Sequence, residues 1–168
     1  MRFTEYISAP NSSHGFHQYL FNYIDKYRKR HDTLLLIAEP EEVIPIFLKN
    51  FDSLKVDTID YSGKRGEEFT DFNFIRDFDW QYDYIFCQAT LEHVCRPSIF
   101  IENLANFTVT GGHIIIHTHN PHMPYHAWPI DCVRFFKDFF YDLERYLPLK
   151  VSDYREDGAH ICMAYERL

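Results

Sequence analysis

The chain switches between two hydrophobic spacings, and the switches predict its elements. Residues 14–30 place apolar side chains at Phe16, Tyr19, Leu20, Tyr23, Ile24 and Tyr27 with polar residues between them, the spacing of an amphipathic helix. Asn11, Ser12 and Ser13 offer capping oxygens just ahead of it. Thr33–Ala38 (TLLLIA) is short and continuously apolar, as a strand buried on both faces should be. Pro40, followed by Glu41 and Glu42, predicts a helix start, because proline fits the first turn and carboxylates favour the positive end of the helix dipole. Val56–Asp60 reads as a second strand ending on an acid, and 61–66 (YSGKRG) as a loop.

Tyr82–Cys87 (YDYIFC) is a further strand. Pro97 then opens a helix with Ile101, Leu104, Ala105 and Phe107 on its inner face. Gly111 and Gly112 predict a turn into the strand His113–Thr118 (HIIIHT), and Pro121, Pro124 and Pro129 mark the loop beyond it. A helix over about 136–147 is expected from the recurrence of Phe136, Phe139, Phe140, Leu143 and Leu147. Val151–Tyr154 and His160–Tyr165 close the chain as strands around Asp157 and Gly158.

Strands alternating with helices imply a parallel sheet covered on both faces. The last two strands are joined by a short turn, which only an antiparallel pair can use. The expectation is an α/β, doubly wound, mainly parallel seven-stranded sheet whose last strand is antiparallel. One domain should span 1–168, with 1–31 as an N-terminal helical extension. The sequence shows no internal repeat, linker or low-complexity segment.

Composition narrows the function classes. A chain of 168 residues with 46% hydrophobic and 18% aromatic content is enough for one packed core. The formal net charge is −8, and Lys26, Arg28, Lys29, Arg30 and His31 are the one basic cluster, read as the C-terminal end of the first helix. Nucleic acid is therefore not an expected partner. No apolar run approaches the ~20 residues of a membrane span, and nothing at the N-terminus resembles a signal peptide. Cys87, Cys95, Cys132 and Cys162 form no CxxC pair, which fits free thiols in a reducing compartment. The chain is read as soluble and cytoplasmic.

The stretch Tyr82–Phe136 carries a family resemblance. A strand of the form "FDxI", then "LEHV", a helix, a Gly-Gly turn and another strand are matched in order by Asp83–Phe86, Leu91–Val94, Gly111-Gly112 and Ile114–Thr118. That order resembles the second half of the class I S-adenosylmethionine-dependent methyltransferases. Pro124-Tyr125-His126, Pro129, Asp131 and Arg134-Phe135 further resemble a bacterial subgroup with a "yHgxPxDyxRF" signature, often found among sugar- and surface-modifying enzymes. The resemblance covers about a third of the chain. It implies a Rossmann-like methyltransferase fold, S-adenosylmethionine as cofactor, and a small-molecule or sugar acceptor.

It also implies site residues. Ligands of open α/β sheets sit beyond the carboxyl ends of the central strands. Asp60 would accept from the ribose hydroxyls, Cys87 and Gln88 would lie beside the methionine and sulfonium, and Asp71 would meet the adenine. For Asp60 a turn role stands beside this one, and for Asp71 that of a solvated loop acid. The family's first strand runs into a "GxGxG" loop, where glycine admits the cofactor to the backbone. In this chain Ala38, Pro40 and Glu42 fall on the three glycine positions, and Glu39, Glu41 and Glu42 bring negative charge toward the methionine carboxylate. Weak cofactor binding is expected. A non-catalytic binding or assembly module that has lost the cofactor is the alternative function.

His117, His119, His122 and His126 crowd one segment. In a continuing strand His117 and His119 point to one face, a ligand pair. Pro121 and Pro124 exclude a regular helix carrying His122 with His126, no acid or cysteine has ligand spacing to them, and no metal is assigned. His93 reads as a polar helix-start residue or a general base. His126 and Arg134 are the catalytic candidates, the first as proton acceptor from a hydroxyl, the second as an anion clamp. The competing reading is a network with Asp131 that pins the proline-rich loop. No Gly-x-Ser-x-Gly elbow or Walker loop is present.

Overall fold

The computed structural model describes residues 14–27, 32–39, 45, 54–59, 73, 80–126 and 130–168. In chain order the elements are helix α1 (His14–Tyr27), strands β1 (Thr33–Ile37), β2 (Lys55–Ile59) and β3 (Tyr82–Gln88), and a 3-10 turn at Leu91–His93. Helix α2 (Pro97–Asn106), strand β4 (Thr108–His119) and helix α3 (Lys137–Asp142) follow. A second 3-10 turn (Leu143–Arg145) and strands β5 (Leu149–Asp157) and β6 (His160–Arg167) complete the chain.

The described strands form one six-stranded sheet in the order β2-β1-β3-β4-β6-β5. β2, β1, β3 and β4 are mutually parallel, and β6 runs antiparallel to both β4 and β5. A parallel sheet finished by an antiparallel hairpin is the expected arrangement. The count differs: six strands lie among the described residues where seven were expected, and the stretch around Asp71 is outside them.

Strand alternation divides the core between the two faces. Leu35, Ile37, Ile85, Ile114, Ile116, Met163 and Tyr165 pack under α2 and α3 with Phe100, Leu104, Phe107 and Phe140. Leu34, Leu36, Tyr84, Phe86, Ile115 and Ala164 pack under α1 with Leu20, Phe21, Tyr23 and Ile24. The central strands are therefore buried on both faces, which is why they read as unbroken apolar runs. Pro97 stands in the first turn of α2, where its missing N–H costs nothing.

Two local expectations are corrected. Gly111 and Gly112 do not make a turn ahead of a strand; they lie inside β4, whose pairing with β3 shifts register between Tyr82↔Thr108 and Tyr84↔His113. The extra residues bulge, with Gly111 at φ +77°. The helix expected over 136–147 is α3 alone, ended at Asp142 by a 3-10 turn. Phe136 is 69% exposed, and its neighbour Phe135 is the buried ring. The helix expected from Pro40 lies outside the described residues, apart from a helical Pro45.

Candidate functional site at the carboxyl ends of the parallel strands

β1, β3 and β4 end side by side, and each end is chemically distinctive. β1 runs into Ala38, whose φ is +54° and whose N–H donates to the Ile59 carbonyl at 2.9 Å. A left-handed φ is costly for any residue with a Cβ, and Ala38 is the residue that the sequence expectation set at a glycine position. Glu39 follows and is 1% exposed. β3 ends in Gln88 and then Ala89 at φ +46°, whose N–H donates to the His117 carbonyl at 2.9 Å. Gln88 Oε1 is buried and has no hydrogen-bond partner among the described residues. A buried acceptor without a donor costs roughly 1–3 kcal/mol, and such an atom at a strand end is suited to a ligand's N–H.

Cys87 points elsewhere. Its side chain is fully buried in the core under α2, and burial pushes its thiol up from the ordinary range. Only its backbone can face a ligand at the strand end. Asp60, Asp71, Pro40, Glu41 and Glu42 lie outside the described residues.

The end of β4 is built around Glu92, a carboxylate with no exposed surface. Its Oε2 accepts from Thr118 Oγ1 at 2.7 Å, and its Oε1 lies 2.6 Å from His119 Nδ1, 3.7 Å from His126 Nε2 and 3.9 Å from His93 Nε2. Burial works to raise its pKa. The hydrogen bond and charge of His119, with the Thr118 hydroxyl, outweigh that and hold the carboxyl at about 2. The Glu92 carbonyl accepts from the N–H groups of Cys132 and Val133 at 2.8 and 3.2 Å, so the same residue anchors the returning loop.

Five imidazoles gather on this side of the sheet, the His93–His126, His126–His119 and His119–His117 pairs edge to face and His160 tilted against His119. Ring centroids separate His93 from His126 by 5.2 Å, His126 from His119 by 4.9 Å, and His119 from His160 and His117 by 5.1 and 5.3 Å. His117 and His119 share one face of β4, as their spacing predicted. His160 stands opposite His119 in the antiparallel register of β6. Its Nδ1 is 3.1 Å from His117 Nε2. Burial, and to a smaller degree the neighbouring His119, lower the His160 pKa.

Arg134 and His126 are brought together beside Glu92, and their surroundings differ. The Arg134 guanidinium pairs through two nitrogens with both carboxylate oxygens of Asp131. It also donates to the carbonyls of Met123 at 3.3 Å, Pro124 at 3.0 Å and Val133 at 2.9 Å. Its hydrogen-bonding directions are spent within the loop. Asp131 also accepts the His126 N–H at 2.8 Å. The Arg134 pair, and to a smaller degree that N–H, holds Asp131 at about 2. The His126 side chain is 39% exposed, with the buried Glu92 behind its Nε2. His93 Nδ1 meets the Ile130 carbonyl, so that ring joins the turn after β3 to the loop.

Sequence reasoning missed Glu92, Thr118 and His160. The signal for Glu92 was its place between Leu91 and Val94 just past a buried strand, where a charge needs dedicated donors. His160 was signalled by hairpin register, since it opens the strand expected beside His117 and His119. Cys95 and Cys132, unrelated in sequence, lie with sulfurs 3.2 Å apart at the edge of the same loop.

No family model matches the chain. No curated protein matches it either. Solved structures do. A SAM-dependent methyltransferase from Aquifex aeolicus superposes with a TM-score of 0.67 at 17% identity, covering 100% of both chains. The N-methyltransferase NodS from Bradyrhizobium japonicum WM9, in complex with S-adenosyl-L-homocysteine, gives 0.63 at 10% identity over 98% of this chain and 96% of that one. An O-methyltransferase family protein from Burkholderia thailandensis gives 0.66 at 13% identity, over 90% of this chain and 56% of its own. The fold is that of the S-adenosylmethionine-dependent methyltransferases. No helix among the described residues is long and apolar enough to cross a membrane.

Proposed function

We propose that the chain transfers a methyl group from S-adenosylmethionine to a small molecule or sugar. The observation that carries this reading is the pair of left-handed alanines, Ala38 and Ala89, at adjacent parallel strand ends, with the partnerless Oε1 of Gln88 on the last residue of β3. Small residues with φ > 0 let a ligand approach the backbone, and the open acceptor suits a methionine ammonium. The solved NodS complex with S-adenosyl-L-homocysteine adds support from the same fold. No observation favours the alternative of a non-catalytic module.

When bound, S-adenosylmethionine supplies an electrophilic methyl on a positively charged sulfur. The chain's part is mostly positioning. The backbone at Ala38 and Glu39 would hold the methionine end, Gln88 would accept from its ammonium, and the Cys87 backbone would lie on the sulfonium side. Asp60 would take the ribose hydroxyls and Asp71 the adenine. Glu39 adds negative charge where the methionine carboxylate arrives, which lowers affinity. His126 takes the acceptor's proton, with Glu92 stabilising the imidazolium that forms. Arg134 serves by fixing, through Asp131, the loop that presents His126.

Incubation with methyl-labelled S-adenosylmethionine and a panel of sugar and small hydroxyl or amine acceptors tests the reading. Label should pass to an acceptor, and His126→Asn should lower kcat of order 100-fold, the low end for a general base, with KM little changed. Transfer undiminished in that variant would remove His126 from the reaction, and cofactor binding without transfer to any acceptor would overturn the activity.

A further inference from the structure

We propose that His117, His119 and His160 form a binding site for one divalent transition-metal ion of the zinc class. Their ligand-capable nitrogens all lie within 4.8 Å of one another. A tetrahedral ion with bonds of about 2.0–2.1 Å sets its nitrogens about 3.3 Å apart. His117 Nε2 and His160 Nδ1, at 3.1 Å, already stand at that spacing. The ligand atoms of the three residues lie within 4.8 Å of one another, so closing on one ion asks for side-chain rotation and not for backbone movement.

The surroundings prepare the third ligand. His119 Nδ1 is held 2.6 Å from Glu92 Oε1, which leaves Nε2 as its coordinating atom. An imidazole that gives one nitrogen to a buried carboxylate and the other to a metal is the usual arrangement in zinc proteins, because the carboxylate fixes the tautomer and raises ligand basicity. Thr118 Oγ1 holds the far oxygen of the same carboxylate at 2.7 Å, so the support is itself supported. Glu92 also supplies negative charge close to an incoming dication.

Strand geometry makes the site rigid. His117 and His119 are two apart on one strand, and His160 lies across from His119 in the β4–β6 ladder. All three therefore ride on paired backbone rather than on a loop. Three imidazoles and no thiolate select zinc, cobalt, nickel or copper over magnesium or calcium. His117 and His119 are buried while His160 is partly exposed, so the remaining coordination position opens past His160. The second convergence, of Glu92, His93 and His126, is the weaker candidate, since His93 Nδ1 is engaged with the Ile130 carbonyl and Glu92 Oε1 with His119. The proposal does not depend on methyl transfer, and cofactor titrations of metal-free protein separate the two.

The test uses the untagged full chain, stripped with a chelator and titrated with Co2+ under visible absorption, then with Zn2+ in competition. One equivalent of Co2+ should give the intense bands of a four-coordinate site, displaced by Zn2+, with Kd at or below about 1 µM. His160→Gln, at a partly exposed position, should weaken binding at least about 100-fold. Glu92→Gln should weaken it about 10- to 100-fold by loosening His119, and His122→Gln, on the exposed loop, should leave it unchanged. Only the faint spectrum of six-coordinate aqueous cobalt with the unsubstituted chain would overturn the proposal without reference to any variant. Equal affinity in His160→Gln would overturn it as well, by showing that the ion sits elsewhere.

Discussion

Replacing Gly112 by alanine should cost about 3 kcal/mol of stability, and the figure follows from three neighbours. A Cβ built on Gly112 would stand 2.9 Å from the Asp83 carbonyl oxygen, 2.9 Å from the Val109 carbonyl oxygen and 2.8 Å from Thr108 Cγ2. Ordinary contacts are about 3.5 Å or more, so each neighbour must give by roughly 0.6 Å. Two of the three are backbone, and β3 cannot yield freely at Asp83. The Asp83 carboxylate accepts from the Thr33 N–H at 2.8 Å and the Thr33 hydroxyl at 2.7 Å, and the Asp83 N–H donates to that hydroxyl at 3.0 Å, tying β3 to β1. Overpacking of this kind costs about 1–3 kcal/mol, and a weakened β1–β3 tie adds about 1 kcal/mol. Gly111 supplies the control: it has φ +77° but nothing within 4 Å of its added Cβ. Gly111→Ala should lose only about 0.5–1 kcal/mol, left-handed strain partly offset by a less flexible unfolded chain. Urea unfolding at constant m-value measures both. Gly112→Ala within 0.5 kcal/mol of the parent, or a larger loss from Gly111→Ala, would refute the bulge as the reason for this glycine pair.

Two further substitutions contrast a strand end with a helix interior. Ala38→Gly relieves a φ of +54°, so its stability should fall within about 0.5 kcal/mol of the parent. Ala105→Gly inside α2 should lose about 2 kcal/mol through helix propensity and a buried methyl, and thermal unfolding of the two variants reads the contrast. Asp131 is held at about 2 by Arg134, below its ordinary value of 3.8. A lowered carboxyl pKa stabilises the fold above the unfolded value and loses that contribution as pH falls through the folded one. The stability gap between parent and Asp131→Asn should therefore be full at pH 7 and close between about pH 4 and about pH 2; a gap constant over that range would show that the Arg134 pair is not what Asp131 contributes.

Elements were legible wherever one periodicity ruled a segment. Leu34–Ile37 and Tyr84–Cys87 are apolar at every position because helices cover both faces, and Ile161–Tyr165 reads the same way. Tyr19, Leu20, Tyr23 and Ile24 marked the inner face of α1 by spacing alone. The C-terminal hairpin was fixed by a turn too short for a parallel crossover, and Gly158 takes the left-handed φ of +59° there. α3 misled because Phe136, Phe139, Phe140, Leu143 and Leu147 keep helical spacing across a segment that tightens. Tyr146 and Leu147 both return hydrogen bonds to the Leu143 carbonyl ahead of Pro148, and proline so close ends the helix early.

The site was legible only where it is local. His117 and His119 share a face by strand alternation, and His126, Asp131 and Arg134 sit within one loop. Glu92, His119 and His160 meet through the β4–β6 register and the turn after β3, which are long-range pairings with no local periodicity. The same holds for Cys95 and Cys132, which are joined by the loop Glu92 anchors.

Calorimetric titration of the chain with S-adenosyl-L-homocysteine tests the central claim most directly. Saturable one-site binding is expected, with Kd no tighter than about 0.1 mM, some 5.5 kcal/mol. Placing glycine at Ala38, Pro40 and Glu42 together should tighten it. No saturable heat from either protein would contradict a cofactor site at the ends of β1 and β3. Micromolar binding by the unmodified chain would contradict the assignment of an opposing role to Glu39 and the loop it begins.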